Sequence, residues 1–421
     1  KNTIDIKYIY THQYLYSIMF CGDDTGAVVG EIAGYYSRFG NSGEDLPKYQ
    51  IPSDVIVSGK KTYVGESGLS LYGQKGKVQN PMESGEIVNW DHVETLWEYF
   101  FAKGERNSPE DAPAMVLVPT WVTEEELETY GELMFEKFQV PHSYFQKKSA
   151  ASAFAAGRPT ALVLDSGYQQ TSVTPVYQGH VLIKPSKRSD LGGELLSREM
   201  LKAIENTGAT VKPRFSFNKT LDNNNSNNEI IVDLDVSKVD ESYMEYARYE
   251  IAKDAKEYFC HTPRTPYNEI VASKIPPDVF ELPDGNQVDL RLSRYTIPEL
   301  NMNCSPLRNE FPGIKSIPEL VAESLSESSV DIRKLLANNC VLAGGNTLFK
   351  GFQQRLNLEL QNILPKILST RFVAPGSLQR RASAWTGGSI LATLGSFQQL
   401  WISKAEYDEV GKDIIAKRCW R

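Results

Sequence analysis

The run Ala161-Leu162-Val163-Leu164-Asp165-Ser166-Gly167 constrains this chain more than any other stretch. Four apolar residues in unbroken succession suit a strand buried on both faces. The acid and the Ser-Gly that follow place a carboxylate at the strand's end, beside a tight turn. Thr171 to Val176 reads as the hairpin partner of that strand, and Gln178-Gly179 as the next turn. The same order occurs near the start of the chain. Gly26 to Gly30 reads as a strand ending in Glu31, and a turn with Gly34 and then Gly40 follows. The two acids lie 134 positions apart, a spacing that suggests a duplicated domain.

The rest of the pattern supports an α/β architecture. Asp91 to Phe101 and Glu124 to Phe138 read as amphipathic helices, and Tyr243 to Cys260 returns to helical periodicity. Tyr63-Val64-Gly65 and Pro81 to Gly85 are turn signals. The Asn-rich tract at 222–229 reads as a mobile surface loop. Val341 to Asn346 is strand-to-turn. A helix then carries Phe352, Leu356, Leu360 and Ile363 on one face, and Pro365 stops it. Gly387-Gly388 reads as the opening of another helix through Leu391 and Leu394. Strands alternating with helices over 421 residues imply two large domains.

Composition excludes several function classes. The net charge is -8, so unaided DNA binding is disfavoured. The five cysteines, Cys21, Cys260, Cys304, Cys340 and Cys419, form no C-x-x-C pair. A disulfide framework or a zinc site is not expected. No apolar run reaches membrane-spanning length. Residues 1–18 lack the features of a signal peptide, and Met19 resembles a natural start; that leading extension is expected to be disordered.

Two acids at equivalent strand ends, each beside a small-residue turn, suit a metal–nucleotide site. Turn amides can cradle phosphate oxygens while Glu31 and Asp165 hold Mg²⁺ through water. Taken singly, each is also an ordinary strand-end turn. Gly344-Gly345 after an apolar strand allows close approach to a nucleotide or simply closes the strand. Lys256-Glu257 suits a ribose or base, or a solvated helix face. The P-loop and G-x-G-x-x-G patterns are both missing.

The ordered set, however, resembles actin and its relatives over essentially everything after Met19. The resemblance is carried most specifically by Ser383-Ala384-Trp385-Thr386-Gly387-Gly388-Ser389-Ile390-Leu391-Ala392, by Phe397 to Lys404 and by Glu406-Tyr407-Asp408-Glu409. Asp165-Ser166-Gly167, Leu133 to Glu136, Ile87 to Asp91 and Ala343-Gly344-Gly345 add to it. Gly344 to Leu348, Phe154 to Arg158, Cys21 to Val28 and Ser42 to Asp45 look more like the nuclear class-four actin-related proteins than like conventional actin.

That resemblance implies an actin-like two-domain fold: duplicated ribonuclease H-like domains around a nucleotide cleft, with four subdomains. The expected division is 19–157 with a small subdomain near 50–86, then 158–375, then 376–421 returning to the first domain. The implied cofactor is ATP with Mg. Glu31 and Asp165 fall on the metal side. Gly34, Arg38, Ser166 and Gly167 fall on the phosphate side, and Lys256, Glu257, Gly345, Asn346 and Arg381 near the adenosine. The implied role is that of a nuclear structural subunit in chromatin-remodelling and histone acetyltransferase complexes, with links to transcription regulation and DNA repair. Its implied partners are nuclear actin and a helical segment of a remodeller ATPase or acetyltransferase scaffold, with histones or nucleosomes further candidates and no membrane.

Departures from actin weaken the case for chemistry. Glu31 stands for Asp, Ala33 and bulky Tyr35 for glycines, and Tyr168-Gln169-Gln170 continues the second loop differently. Lys148 and Ser172 replace the Gln and His that position the attacking water in actin. A protonated Lys has no lone pair to accept from water, and a Ser hydroxyl is a poor base. Hydrolysis near background is expected, so the chain is not read as an enzyme. Only Ser58 to Thr62 separates Val57 from Tyr63, too little for the docking loop of actin filaments. Phe154, Gly157, Leu391, Leu394 and Leu400 are expected to border an apolar groove for a partner helix. The alternatives are a filament-associated cytoskeletal ATPase and a sugar kinase or chaperone ATPase of similar fold; the short loop and the C-terminal signature weigh against them.

Overall fold

A computed structural model describes residues 26–103, 108–222 and 225–419. The leading extension at 1–18 lies outside the described residues. Two mixed sheets dominate. The first runs, in spatial order, Ile402–Ser403, His142–Lys147, Ala114–Val118, Val28–Glu31, Tyr36–Asn41, Tyr49–Pro52. The second runs His180–Val181, Thr171–Tyr177, Ala161–Ser166, Cys340–Ala343, Phe372–Val373, and Lys187–Ser189 also pairs with Thr171–Tyr177.

The two sheets repeat one register. Glu31 sits opposite Arg38 on an antiparallel neighbour and opposite Leu117 on a parallel one. Asp165 sits opposite Ser172 on an antiparallel neighbour and Ala343 on a parallel one. The duplication read from the two acids is therefore present in the hydrogen-bonding pattern. The central strands are apolar throughout because both faces are covered: Ala114 to Val118 and Cys340 to Ala343 are buried without a break. Gly30 is dictated by packing, since a β-carbon there would fall 2.1 Å from the Trp97 ring.

The sheets meet through two helices, Lys148–Ala155 and Ser383–Thr393, which pack against each other. Ser152 and Ser383 share a hydroxyl hydrogen bond of 3.1 Å, and the Trp385 indole donates to the Val29 carbonyl at 3.0 Å. The second helix begins at Ser383, so Gly387 and Gly388 lie inside it and do not open it as expected. Leu391 is 1% exposed and belongs to this core.

A small three-stranded sheet, Lys61–Tyr63, Val55–Ser58, Lys77–Gln79, stands beside the first sheet with the helix Gly65–Tyr72. Ser58 pairs with Lys61 across a two-residue turn, and Gly59 takes φ +62°. That is a tight hairpin, as the short interval required.

Three local expectations change. The Asn-rich tract is not a loop: Asn225–Asp233 pairs antiparallel with Phe217–Asp222. The β-branched run Ile230-Ile231-Val232 that follows the tract carries the strand propensity. The helix expected over Glu124 to Phe138 is α-helical to Gly131 and then a π-turn over Glu132–Lys137. Ile363 leaves the buried face shared by Phe352, Leu356 and Leu360 and is 49% exposed. Cys260, Cys304, Cys340 and Cys419 are free and buried, without a disulfide among the described residues.

Candidate functional site

A cleft of about 590 Å3 opens between the two sheets. Glu31, Gly34, Arg38, Lys148, Asp165, Gly167, Ser172, Lys256, Glu257, Gly345, Asn346 and Arg381 all line it. The strand ends bring the two acids there, and the turns after them supply the glycines. Ser166 is the exception among the expected residues. It is fully buried, its hydroxyl sharing a 2.7 Å bond with Thr171 and accepting from the Asn346 amide at 3.3 Å. It braces the second loop and does not face the cleft.

The acid end carries its own counter-charges. Arg38 Nη1 lies 3.3 Å from Glu31 Oε2, and Lys148 Nζ lies 3.8 Å from Glu31 Oε1 while donating to the Ile32 carbonyl. Burial pushes the Asp165 carboxyl up to about 6; Glu31 adds to this, and Lys148 and Arg38 oppose it. Burial lowers the Lys148 ammonium, with Glu31 and Asp165 holding it up. Two carboxylates thus face two cations, both of them paired with Glu31. No cluster of three metal-ligating side chains occurs among the described residues. Ser172, opposite Asp165 in the sheet register, adds only a hydroxyl.

The end expected to take the nucleoside combines a tightly packed glycine with an open one. Gly344 takes φ +84°, and a β-carbon there would strike the Ser166 carbonyl at 2.1 Å. A β-carbon on Gly345 would meet nothing within 4 Å, so this backbone stands open to the cleft. Glu257 and Arg381 form a 3.5 Å ion pair at the rim, each about half exposed. Lys256 is fixed deeper: Nζ donates to the Gly193 carbonyl at 2.7 Å and the Ser197 hydroxyl at 2.9 Å, and burial lowers its pKa to about 8. Arg380, absent from the sequence expectation, closes this end by donating to the Thr347 carbonyl at 2.9 Å.

The phosphate end is filled by protein. A β-carbon on Gly34 would meet Gln169 at 2.7 Å. Gln169 Nε2 donates to the Met82 carbonyl at 2.7 Å, and its Oε1 accepts from the Gly85 amide at 3.2 Å. The Gly167 amide is used within its own loop, donating to the Gln170 carbonyl at 2.9 Å. Tyr35 swings across to the helix Glu241–Phe259, where its hydroxyl donates to the Glu250 carboxylate at 2.9 and 3.0 Å. The end of the cleft at Gly345 is therefore open. The end expected to take a phosphate tail is held by Gln169. The sequence signalled this only as departures at Tyr35 and Tyr168-Gln169-Gln170; Glu250 and Lys253 carried no local signal.

The expected groove residues differ in exposure. Phe154 packs over Gly179, whose added β-carbon would lie 3.3 Å from the ring. Gly157 closes its helix at φ +64°. Leu394 and Leu400 are exposed beside Phe397, whose ring meets Tyr144 at 4.8 Å. Leu391 faces inward and is no part of a groove.

Comparison with known proteins agrees with this architecture. The model of the family described as Actin matches residues 22–420. The chain is 33% identical over 446 residues to actin-related protein 4 of Oryza sativa subsp. indica, covering 95% of this chain and 100% of that protein. It is likewise 33% identical over 442 residues to actin-related protein 4 of Arabidopsis thaliana, with the same coverage. Against actin-related protein 4 of Yarrowia lipolytica (strain CLIB 122 / E 150) it is 30% identical over 423 residues, covering 95% of this chain and 97% of the relative.

Proposed function

The chain belongs to the actin family, and from that premise we propose that it is a non-polymerising structural subunit of nuclear assemblies that remodel chromatin or acetylate histones. Members of this family are in general nucleotide binders. In this reading the chain takes ATP with its nucleoside at the Gly344-Gly345 end of the cleft and its phosphates displacing Gln169, without turning it over. It pairs with actin on a helical segment of a remodeller ATPase or acetyltransferase scaffold, through the surface around Phe154, Leu394 and Leu400, and histones or nucleosomes are further contacts. Its place is the nucleus. No described helix is long and apolar enough to cross a membrane.

The observation that carries the reading is the two-residue turn between Ser58 and Lys61. A filament-forming member needs a long segment at this place to insert into its neighbour, and a tight hairpin has nothing to insert. Lys148 and Ser172 add support, since a protonated Lys has no lone pair to accept from water and a Ser hydroxyl is a poor base.

The test is reconstitution from purified parts. The chain, monomeric actin and a synthetic helical segment of a remodeller ATPase are mixed and sized by light scattering after gel filtration. One stable complex containing one copy of each is expected, with no sedimenting polymer when the chain is concentrated in Mg-ATP. Pelleting filaments with continuing phosphate release would sink the reading.

A further inference from the structure

We propose that the chain closes its own cleft: side-chain contacts between the two halves take over the bridging that bound phosphates provide, and the closed arrangement needs no nucleotide. The inference concerns the cleft alone and stands whichever partners the chain has.

Three sets of contacts cross the cleft at different depths. At the mouth, Ile56 and Leu69 of the small sheet and its helix share a buried cluster with Tyr243 of the opposite half, and Phe215 and Tyr246 pack around it. The fit is close, because a β-carbon on Gly73 would stand 2.1 Å from the Tyr243 ring. The outward amide of Val78, on the edge strand, donates to the Ser242 hydroxyl at 2.9 Å. Midway, Tyr35 bonds to Glu250 while Lys253 lies 4.5 Å over its ring. Burial and the neighbouring Glu250 keep that phenol protonated and donating. At the floor, Gln169 reaches from the second phosphate loop to Met82 and Gly85 on the first half.

Each set would have to break for the halves to part. A phosphate-bridged cleft lets its halves separate once the ligand leaves. Here apolar packing at the mouth holds them together at a depth the phosphates never reach, and contact area of this kind does not depend on ligand. Gln169 stands in the phosphate path, so an entering phosphate tail displaces the floor contact but leaves the other two.

Two backbone amides report opening directly, those of Val78 and Gly85, since both donate across the cleft. The purified full chain is stripped of nucleotide, and its denatured supernatant is checked by chromatography. Hydrogen exchange at both amides is then measured with and without Mg-ATP. Protection of Val78 is expected to change less than twofold on adding ATP. In Tyr243→Ser, Val78 exchange is expected to rise at least tenfold, while amides of the helix Phe352–Ile363 stay protected. Should that variant lose the distant protection as well, Tyr35→Phe with Gln169→Ala replaces it, and faster exchange of Val78, whose own acceptor Ser242 is left intact, is the supporting result. A stripped wild-type chain whose Val78 amide exchanges freely and becomes protected at least tenfold by ATP overturns the proposal. Failure of the reconstitution above would leave this result untouched, and the reverse also holds.

Discussion

A β-carbon on Gly387 would stand 1.8 Å from the carbonyl oxygen of Ala151. The two helices that join the sheets therefore touch backbone to backbone, and a backbone cannot yield as a flexible side chain can. Gly387→Ala should force the helices apart and cost the upper part of the roughly 1–3 kcal/mol typical of overpacking. Gly388→Ala should cost less, because its β-carbon would meet the movable Leu117 side chain at 2.9 Å. Urea midpoints of the two variants measure the difference, and equal midpoints would refute the close-contact argument.

Asp54 gives the chain a pH dependence of known sign. Burial pushes this carboxyl up to about 7 from an ordinary value of 3.8; the bond from Asn80 opposes the shift, and Glu250 and Glu194 add to it. The folded state then holds a proton that the unfolded state has released, so stability falls as pH rises from about 4 through about 7. Asp54→Asn removes its share of that slope and leaves the share of Asp165. Its melting temperature should exceed that of the wild type by a few degrees near neutrality, with the gap closing toward pH 4. A constant gap across the range would be the wrong outcome.

Lys148 should be structural rather than chemical. Its ammonium sits between Glu31 and Asp165, and removing it leaves two acids facing each other with only Arg38 beside them. Lys148→Met should destabilise by about 3–5 kcal/mol. Adding Asp165→Asn should restore much of that loss, with a coupling of about 1 kcal/mol or more in the double-mutant cycle. Additive effects would place the two groups out of contact.

The same charge balance predicts indifference to divalent cations. Titration of the nucleotide-free chain with Mn²⁺, followed by electron paramagnetic resonance, should detect no site in the wild type. Lys148→Gln removes one of the two cations facing Glu31 and Asp165, and should create a weak one. A stoichiometric wild-type site would contradict the counter-charge reading of Lys148 and Arg38.

The strand ends were readable from the sequence because burial on both faces leaves an unmistakable apolar run, and an acid at its end has nowhere to go but the rim. Val28 to Glu31 and Ala161 to Asp165 both fall where the pattern put them. The orientation of side chains in the loops was not readable. Ser166 had the right type for a phosphate contact, but its hydroxyl found Thr171 and Asn346 inside the second half. Leu391 and Leu394 share a helix pattern, yet only the structure separates the 1% exposed residue from the 43% exposed one. The Asn tract failed differently: its polarity argued for a loop, while pairing with Phe217–Asp222 supplied a partner that no local window contains. Tyr35 to Glu250 spans 215 positions, and its sequence signal was only that a bulky residue stood where glycine was expected.

Trp385 donates to Val29 across 356 residues, Ile402–Ser403 completes the edge of the first sheet, and a β-carbon on Gly131 would strike Ile415. During synthesis, then, the first half cannot finish its core until the segment from Trp385 to Ile415 has left the ribosome. For most of its translation the chain carries an unclosed apolar surface around Val29, Met115 and Leu117. Folding of the first half waits on that segment, and removing it should release an aggregation-prone first half, not a smaller working one.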